Sequence, residues 1–237
     1  MTHDIGTPYR VAIYAAPARD TAWWGLGSQW LGRCAARGCN MPMPRIDGMD
    51  AATQQAITTD PRRYGWHATL KAPFRLSAQT DLQALRKAVV AICHDHAEIE
   101  LGDLHVDRLE SFLALRPQNT PASLGALADD CVRRLQPLAA PLTEAELVRR
   151  RRAALTTEED ALMLAWGYPW VFDKFRFHFS LTQSLDGMPA DLVNDLKAAA
   201  TRQFADLPAL RLSHLSIFIE PTPGADFILF EQMELDA

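Results

Sequence analysis

This chain lacks most of the features that assign a protein to a class at sight. No apolar stretch approaches the roughly 18 residues needed to cross a bilayer. Met1 to Pro8 is polar and short, and the apolar run from Val11 to Ala16 has a strand's length, not that of a signal peptide's h-region. Four cysteines, Cys34, Cys39, Cys93 and Cys131, include no CxxC pair and no secreted-style framework, so reduced thiols in a cytoplasm are expected. A general positive field is also missing. The formal net charge of -5 argues against coating long nucleic acid, while leaving room for a small anionic substrate held by a few local cations. There is no Gly-rich phosphate loop, no Ser-His-Asp order, no paired-carboxylate motif, no short-period repeat and no low-complexity linker. What remains is globular composition, 48% hydrophobic over 237 residues, ample for a core.

Hydrophobic periodicity gives the order of elements. Tyr9–Ala16 reads as a strand, Thr21–Arg37 as a helix stopped by Gly38, and Asp50 as the cap of a short helix ending before Asp60-Pro61. Trp66–Phe74 is a strand, Asp81–His94 an amphipathic helix, and Ile99–Leu109 with Phe112–Leu115 a strand pair. Helical spacing follows in 121–135, 144–152 and 157–166, broken by Gly167-Tyr168-Pro169-Trp170. Phe172–Gln183 reads as a strand, 191–204 as a helix, and Leu210–Ile219 and Phe227–Leu235 as closing strands. The order suggests one unit used twice, with extra helices inserted over about 119–166. A single two-lobed domain over 1–237 is expected.

Two short strings carry the chemistry: H-A-T-L at His67–Leu70 and H-F-S-L at His178–Leu181. On a strand, successive side chains point to opposite faces, so His67 shares a face with Thr69, and His178 with Ser180. Around the second string Lys174, Arg176, His178, Ser180 and Thr182 alternate with Phe175, Phe177, Phe179 and Leu181. The first string repeats this with His67, Thr69 and Lys71 on one face. From average residue frequencies, two such strings have a chance of about 2% of arising by accident. Two imidazoles and two hydroxyls brought side by side suit acid/base chemistry at a phosphate, with Lys71 and Arg176 as added cations.

Other clusters have plainer readings. Cys93, His94 and His96 lie at a helix end with no partner cluster at zinc spacing, which favours capping or surface roles over a metal site. His105 and His214 carry no neighbouring pattern. The run Arg149–Arg152 fits a solvated helical face with Glu144 and Glu146 as partners, and the alternative is that one or two arginines reach the cleft. Tyr168 could line the pocket.

The longer strings Y-G-W-H-A-T-L-K-A-P-F, F-L-A-L, W-G-Y-P-W-V and F-R-F-H-F-S-L-T, with W-L-G-R at Trp30–Arg33, resemble the two-histidine (2H) phosphoesterase superfamily. Within it they are similar to the branch associated with phosphonate-utilisation operons. Ser180 stands where that branch more often has Thr, which keeps a hydroxyl. The resemblance implies a bilobal, pseudo-twofold α+β fold, with two antiparallel sheets flanking a central cleft. It also implies a metal-independent, cofactor-free phosphodiesterase acting on a cyclic or small phosphodiester, such as a ribosyl cyclic phosphate of phosphonate catabolism. His67 and His178 would be the catalytic pair, and Thr69 and Ser180 would hold the phosphate. An RNA-end 2′,3′-cyclic phosphodiesterase and a non-catalytic nucleotide- or sugar-phosphate-binding module are the alternatives. The expected partner is a small phosphorylated substrate, with no membrane and no long nucleic acid.

Overall fold

Ladders and helices divide the chain into two units of the same order. The computed structural model describes residues 7–236; Met1–Gly6, part of the segment that shows no signal-peptide pattern, and Ala237 lie outside the described residues. The first unit begins with β1 (Arg10–Ala15), α1 (Ala22–Leu31), the short strands β2 (Arg33–Cys34) and β3 (Cys39–Asn40), α2 (Ala51–Ile57) and α3 (Thr59–Tyr64). It continues through β4 (Ala68–Phe74), α4 (Leu82–His94), β5 (Ile99–Gly102) and β6 (Leu104–Leu109). The second unit has β7 (Phe112–Pro117), α5 (Ala122–Leu135), α6 (Glu144–Arg151), α7 (Thr157–Trp166) and β8 (Phe179–Ser180). Then come α8 (Ala190–Phe204), β9 (Leu210–Leu212), β10 (His214–Glu220) and a final strand, β11 (Ile228–Glu234).

The fold is α+β, and its main sheet is antiparallel with strand order β11-β10-β1-β4-β8-β7-β6. Two blocks make it up, β11-β10-β1-β4 and β8-β7-β6, and they are hydrogen-bonded to each other at the pair Ala68↔Phe179. The two sheets expected of the two halves are these blocks, continuous at that one place. Ala68 and Phe179 each follow the histidine of their own motif, so a local twofold axis passes through the pair. The axis relates β1 to β7, β4 to β8, α4 to α8 and β6 to β10. It also passes between β5 and β9, which pair with each other at Ile99↔Leu212.

One face of the sheet packs on helices. Val11, Ile13, Leu70 and Phe74 join Leu85, Val89 and Ile92 of α4 and Leu124, Leu127 and Leu135 of α5 in a single buried cluster. Beneath the second block, Trp66 stacks on Phe179 at 5.0 Å and on Phe204 of α8 at 5.4 Å. Asp50 and Asp81 cap α2 and α4, accepting from Thr53 N and Ala84 N.

Two elements differ from the sequence reading. The first helix ends at Leu31, not Arg37, because Gly32 takes a left-handed conformation (φ 73°) and its N–H closes the last turn. The chain then forms the β2–β3 hairpin, with Gly38 (φ 63°) in its turn. The strand read over Phe172–Gln183 is reduced to Phe179–Ser180, and Phe172–Lys174 form a 3-10 turn. Its alternation still sets burial, with Phe177, Phe179 and Leu181 inside. Only Phe179 and Ser180, however, find strand partners on the flanking β4 and β7.

Close packing under the site has a measurable cost. A Cβ on Gly27 of α1 would lie 2.1 Å from the Trp66 ring. Gly27→Ala is therefore expected to destabilise the protein by about 1–3 kcal/mol through overpacking. A lowered urea midpoint in equilibrium unfolding checks this.

Candidate active site

Register alone assembles the candidate residues. In an antiparallel ladder, residues opposite each other share a face. With Ala68 opposite Phe179, counting one step either way sets His67 against Ser180 and Thr69 against His178. The two histidines are then diagonal neighbours, with backbones about 7–8 Å apart. All four side chains are half-buried on the face opposite the helices.

Both imidazoles are held in the same way. His67 Nδ1 lies 2.8 Å from Gly65 O, and His178 Nδ1 lies 2.7 Å from Arg176 O. A carbonyl can only accept, so each Nδ1 carries the proton and each Nε2 is left as the free base. The Thr69 hydroxyl donates to His67 Nε2 at 3.3 Å. Gly65 supplies its carbonyl from φ 83°, ψ -179°, a conformation open essentially to glycine alone. A Cβ there would also meet Ala35 Cβ at 2.6 Å.

The surroundings keep both rings neutral. Tyr14 stacks on His67 with ring centroids 3.7 Å apart, and Phe112 lies 5.4 Å from His178. Burial brings the His67 pKa down from 6.5 to about 4, opposed by the bond to Gly65 and reinforced by His178. Burial also lowers His178, opposed by the Arg176 carbonyl and reinforced by the charges of Arg116 and Arg176.

Two expected phosphate ligands are placed elsewhere. Lys71 does not share the face of His67 and Thr69. Tyr14 pairs with Thr69 and Ile13 with Lys71, so the ladder skips Leu70 in a β-bulge. The extra residue turns Lys71 to the helix side, where Nζ donates to Gln136 Oε1 at 2.9 Å and burial brings its pKa to about 8. There it lines a cavity of about 220 Å³ between β4, α5 and the inserted segment. Arg176 lies at the rim, its guanidinium in an exposed ion pair with Glu110 at 3.1 Å. Tyr168 lines that same cavity and lies close enough to Tyr64 and Tyr14 for their ionisations to oppose one another.

Arg116 is the cation that the sequence reading missed. Ala114 is opposite Ser180, so Phe112, Ala114 and Arg116 of β7 share the histidine face. Arg116 pairs with Asp107 at 3.0 Å, and its buried Nε finds no partner among the described residues. Continuing the alternation of F-L-A-L by one residue would have reached it. In the run Arg149–Arg152, Arg151 makes a two-fold contact with Asp160 at 2.7 and 2.9 Å, Arg149 and Arg152 are exposed, and Arg150 turns inward. Glu146 bonds to Arg75 and Thr143, not to this run.

Four other described histidines lie away from the pair. His94 meets Asp236 at 3.2 Å and His96 meets Asp130 at 2.8 Å, which anchors the chain's last strand region and α5 around α4. His214 bonds Ser213, and His105 is exposed on β6. No group of three or more His, Cys, Asp or Glu able to hold a metal occurs among the described residues. No helix among them is long and apolar enough to cross a membrane.

A family profile described as "Protein of unknown function (DUF1045)" matches residues 69–228, which include the second histidine motif and the first motif from Thr69 onward. The chain belongs to the DUF1045 family. This DUF1045 chain is 38% identical over 227 residues to the ribose 1,5-bisphosphate phosphokinase PhnN of Janthinobacterium sp. (strain Marseille), covering 94% of itself and 50% of that protein. It is 36% identical over 220 residues to the protein of the same name from Laribacter hongkongensis (strain HLHK9), covering 93% and 50%. The chain spans about half the length of the curated relatives it matches. Among solved structures, E. coli LigT complexed with phosphate is similar with a TM-score of 0.42 at 12% identity, covering 98% of this chain and 100% of that one. LigT complexed with NADP+ gives 0.41 at 13% identity, with the same coverages.

The lowered His67 pKa makes stability depend on pH. The folded chain binds this proton less tightly than the unfolded chain, so the unfolded state takes up more protons between about 6.5 and 4. His67's contribution is fully present above pH 6.5 and is lost as pH falls towards 4. NMR titration of the imidazole Cε1–H is expected to place His67 near 4. Urea midpoints in Thr69- and His67-intact protein should fall between pH 7 and 5, and less so in His67→Gln.

Proposed function

We propose that this chain is a phosphodiesterase that opens a cyclic or small phosphodiester by general acid/base catalysis from His67 and His178. The observation that carries this reading is the matched fixation of the two rings: Nδ1–H on a backbone carbonyl two residues back, Nε2 unprotonated, on diagonal positions of one ladder. On that reading the phosphate lies between the two Nε2 atoms. The Nε2 of one neutral imidazole takes the proton of the attacking water as the new P–O bond forms. The other ring, as imidazolium, gives its proton to the departing alkoxide as that P–O bond breaks.

That second ring takes its proton from solvent when the substrate is bound. A phosphodiester monoanion between the rings favours the charged imidazole, offsetting the burial that keeps both neutral in its absence. Thr69 and Ser180 donate to the non-bridging oxygens. Arg116, with an unpartnered buried N–H beside His178, takes the charge-offsetting role that the sequence suggested for Lys71 and Arg176. The chemistry requires no metal.

A ribosyl cyclic phosphate is the substrate we favour. The motif resemblance to the branch associated with phosphonate-utilisation operons supports it, as does the ribose bisphosphate in the relatives' name. The phosphokinase activity of that name belongs to proteins about twice the matched length. No lysine of this chain follows a glycine, so it has no P-loop Gly-Lys pair of its own.

The test is turnover in excess EDTA of ribose 1,2-cyclic phosphates against nucleoside 2′,3′-cyclic phosphates. Activity should persist in EDTA, and His67→Ala and His178→Ala should each lose about 100-fold or more. Arg116→Ala should lose about 10–100-fold, as expected for a charge-assisted contact. Undiminished turnover by His178→Ala would overturn the assignment. Binding across the panel with no turnover would reduce the protein to a phosphate-binding module.

A further inference from the structure

Beyond His67, the face of the first block leads to a second collection of cations. Arg10 on β1 and Arg63 in the last turn of α3 both pair with the fully buried Glu220 of β10, whose Oε1 also accepts from Gly224 N. That carboxylate therefore already faces two guanidinium groups. Burial disfavours the charged form of Arg150 on α6, and repulsion from Arg10 adds a smaller part. The nearest carboxylate to offset it, Glu146, is held by Arg75 at 3.2 Å and by the Thr143 cap at 2.8 Å. Arg149 adds repulsion from the solvent side.

Arg150 has few contacts of its own. Its Nη2 reaches Pro73 O only at 3.5 Å, and its buried Nε finds no partner among the described residues. Its guanidinium carbon lies 5.5 Å from the Tyr168 ring centroid. Tyr168 in turn neighbours Tyr64 and Tyr14, and Tyr14 stacks on His67. Burial pushes the Tyr168 hydroxyl up to about 12, so it remains an O–H donor throughout the working range. A positively charged, partly desolvated group with an unused N–H, linked to the reacting histidine through Tyr168 and Tyr14, is arranged to receive an anion.

We propose that Arg150 and Tyr168 form a second anion subsite, and that the substrate class is a small phosphodiester bearing an additional phosphomonoester. This rests on the phosphodiesterase reading above. His67 and His178 then act on the diester while the monoester is held by Arg150 at the inserted segment. The monoester's dianion supplies the negative charge that Arg150 lacks while Glu146 is held by Arg75 and Thr143.

A matched substrate pair tests it: a nucleoside 2′,3′-cyclic phosphate with a free 5′-hydroxyl, and the same compound with a 5′-phosphate. The readout is the ratio of kcat/KM for the phosphorylated over the unphosphorylated member. Wild type should favour the phosphorylated member, and Arg150→Ala should lower the ratio about 10–100-fold, with Arg150→Lys in between. Tyr168→Phe should lower it less. A ratio near one in wild type, or equal losses on both members in Arg150→Ala, would overturn the subsite while leaving the phosphodiesterase reading intact. Should neither compound turn over, calorimetric binding of a nucleoside 3′,5′-bisphosphate decides the subsite, while the phosphodiesterase reading stands or falls on the ribose 1,2-cyclic phosphates. Binding weakened about 10-fold or more by Arg150→Ala supports it, and equal binding overturns it.

Discussion

The pairing of Ala68 with Phe179 is the contact on which the candidate site depends. Side chains in a strand alternate, so sliding either strand by one residue would send its histidine and hydroxyl residue to the helix face. What fixes the register lies underneath. Phe179 is fully buried against Trp66, which stacks on Phe204 of α8, and Phe177 meets Phe179 edge-on at 5.5 Å. A slip would drive His178 into this aromatic layer and lift Phe179 out of it. The apolar residue inside each motif is thus as necessary to the arrangement as the histidine before it.

Above that layer, the backbone sets the chemistry of the rings. Each carbonyl that holds an Nδ1 lies two residues before its histidine, so the backbone fixes the same tautomer in both halves. Around the rings, aromatic contacts and arginines work in one direction, against protonation. On the proposed function, a bound anion relieves that bias. Affinity for a phosphate and readiness to donate a proton become one property of the site.

Much of this was legible in sequence. Alternation identified the strands, the cap at Asp50 marked a helix start, and the order of elements suggested one unit used twice. What escaped depended on partners distant in sequence. The alternation around His178 described burial correctly but could not show that β4 and β7 flank only Phe179 and Ser180. H-A-T-L-K has nothing to mark Leu70 as a bulge, because the bulge is a property of the ladder with β1. Lys71 was misplaced for that reason alone. Arg116 lay one alternating step beyond a strand read too short. In the four-arginine run, Arg150 is one helical turn after the buried Glu146, the phase that separates it from its exposed neighbours.

The inserted helices sit where the two blocks part company after Ala68, closing over the far end of β4. Arg75 O accepts from Ala140 N, and Arg75 itself reaches Pro141 O. None of the residues that set the histidine register comes from this segment. On the proposed function, reaction and recognition are written in separate stretches of chain, one in the duplicated strands and one in 139–171. Changes in the second can redirect the enzyme to new molecules while the first is inherited unaltered. A fold divided in this way offers natural variation, or a designer, a replaceable specificity cassette on a fixed catalytic frame.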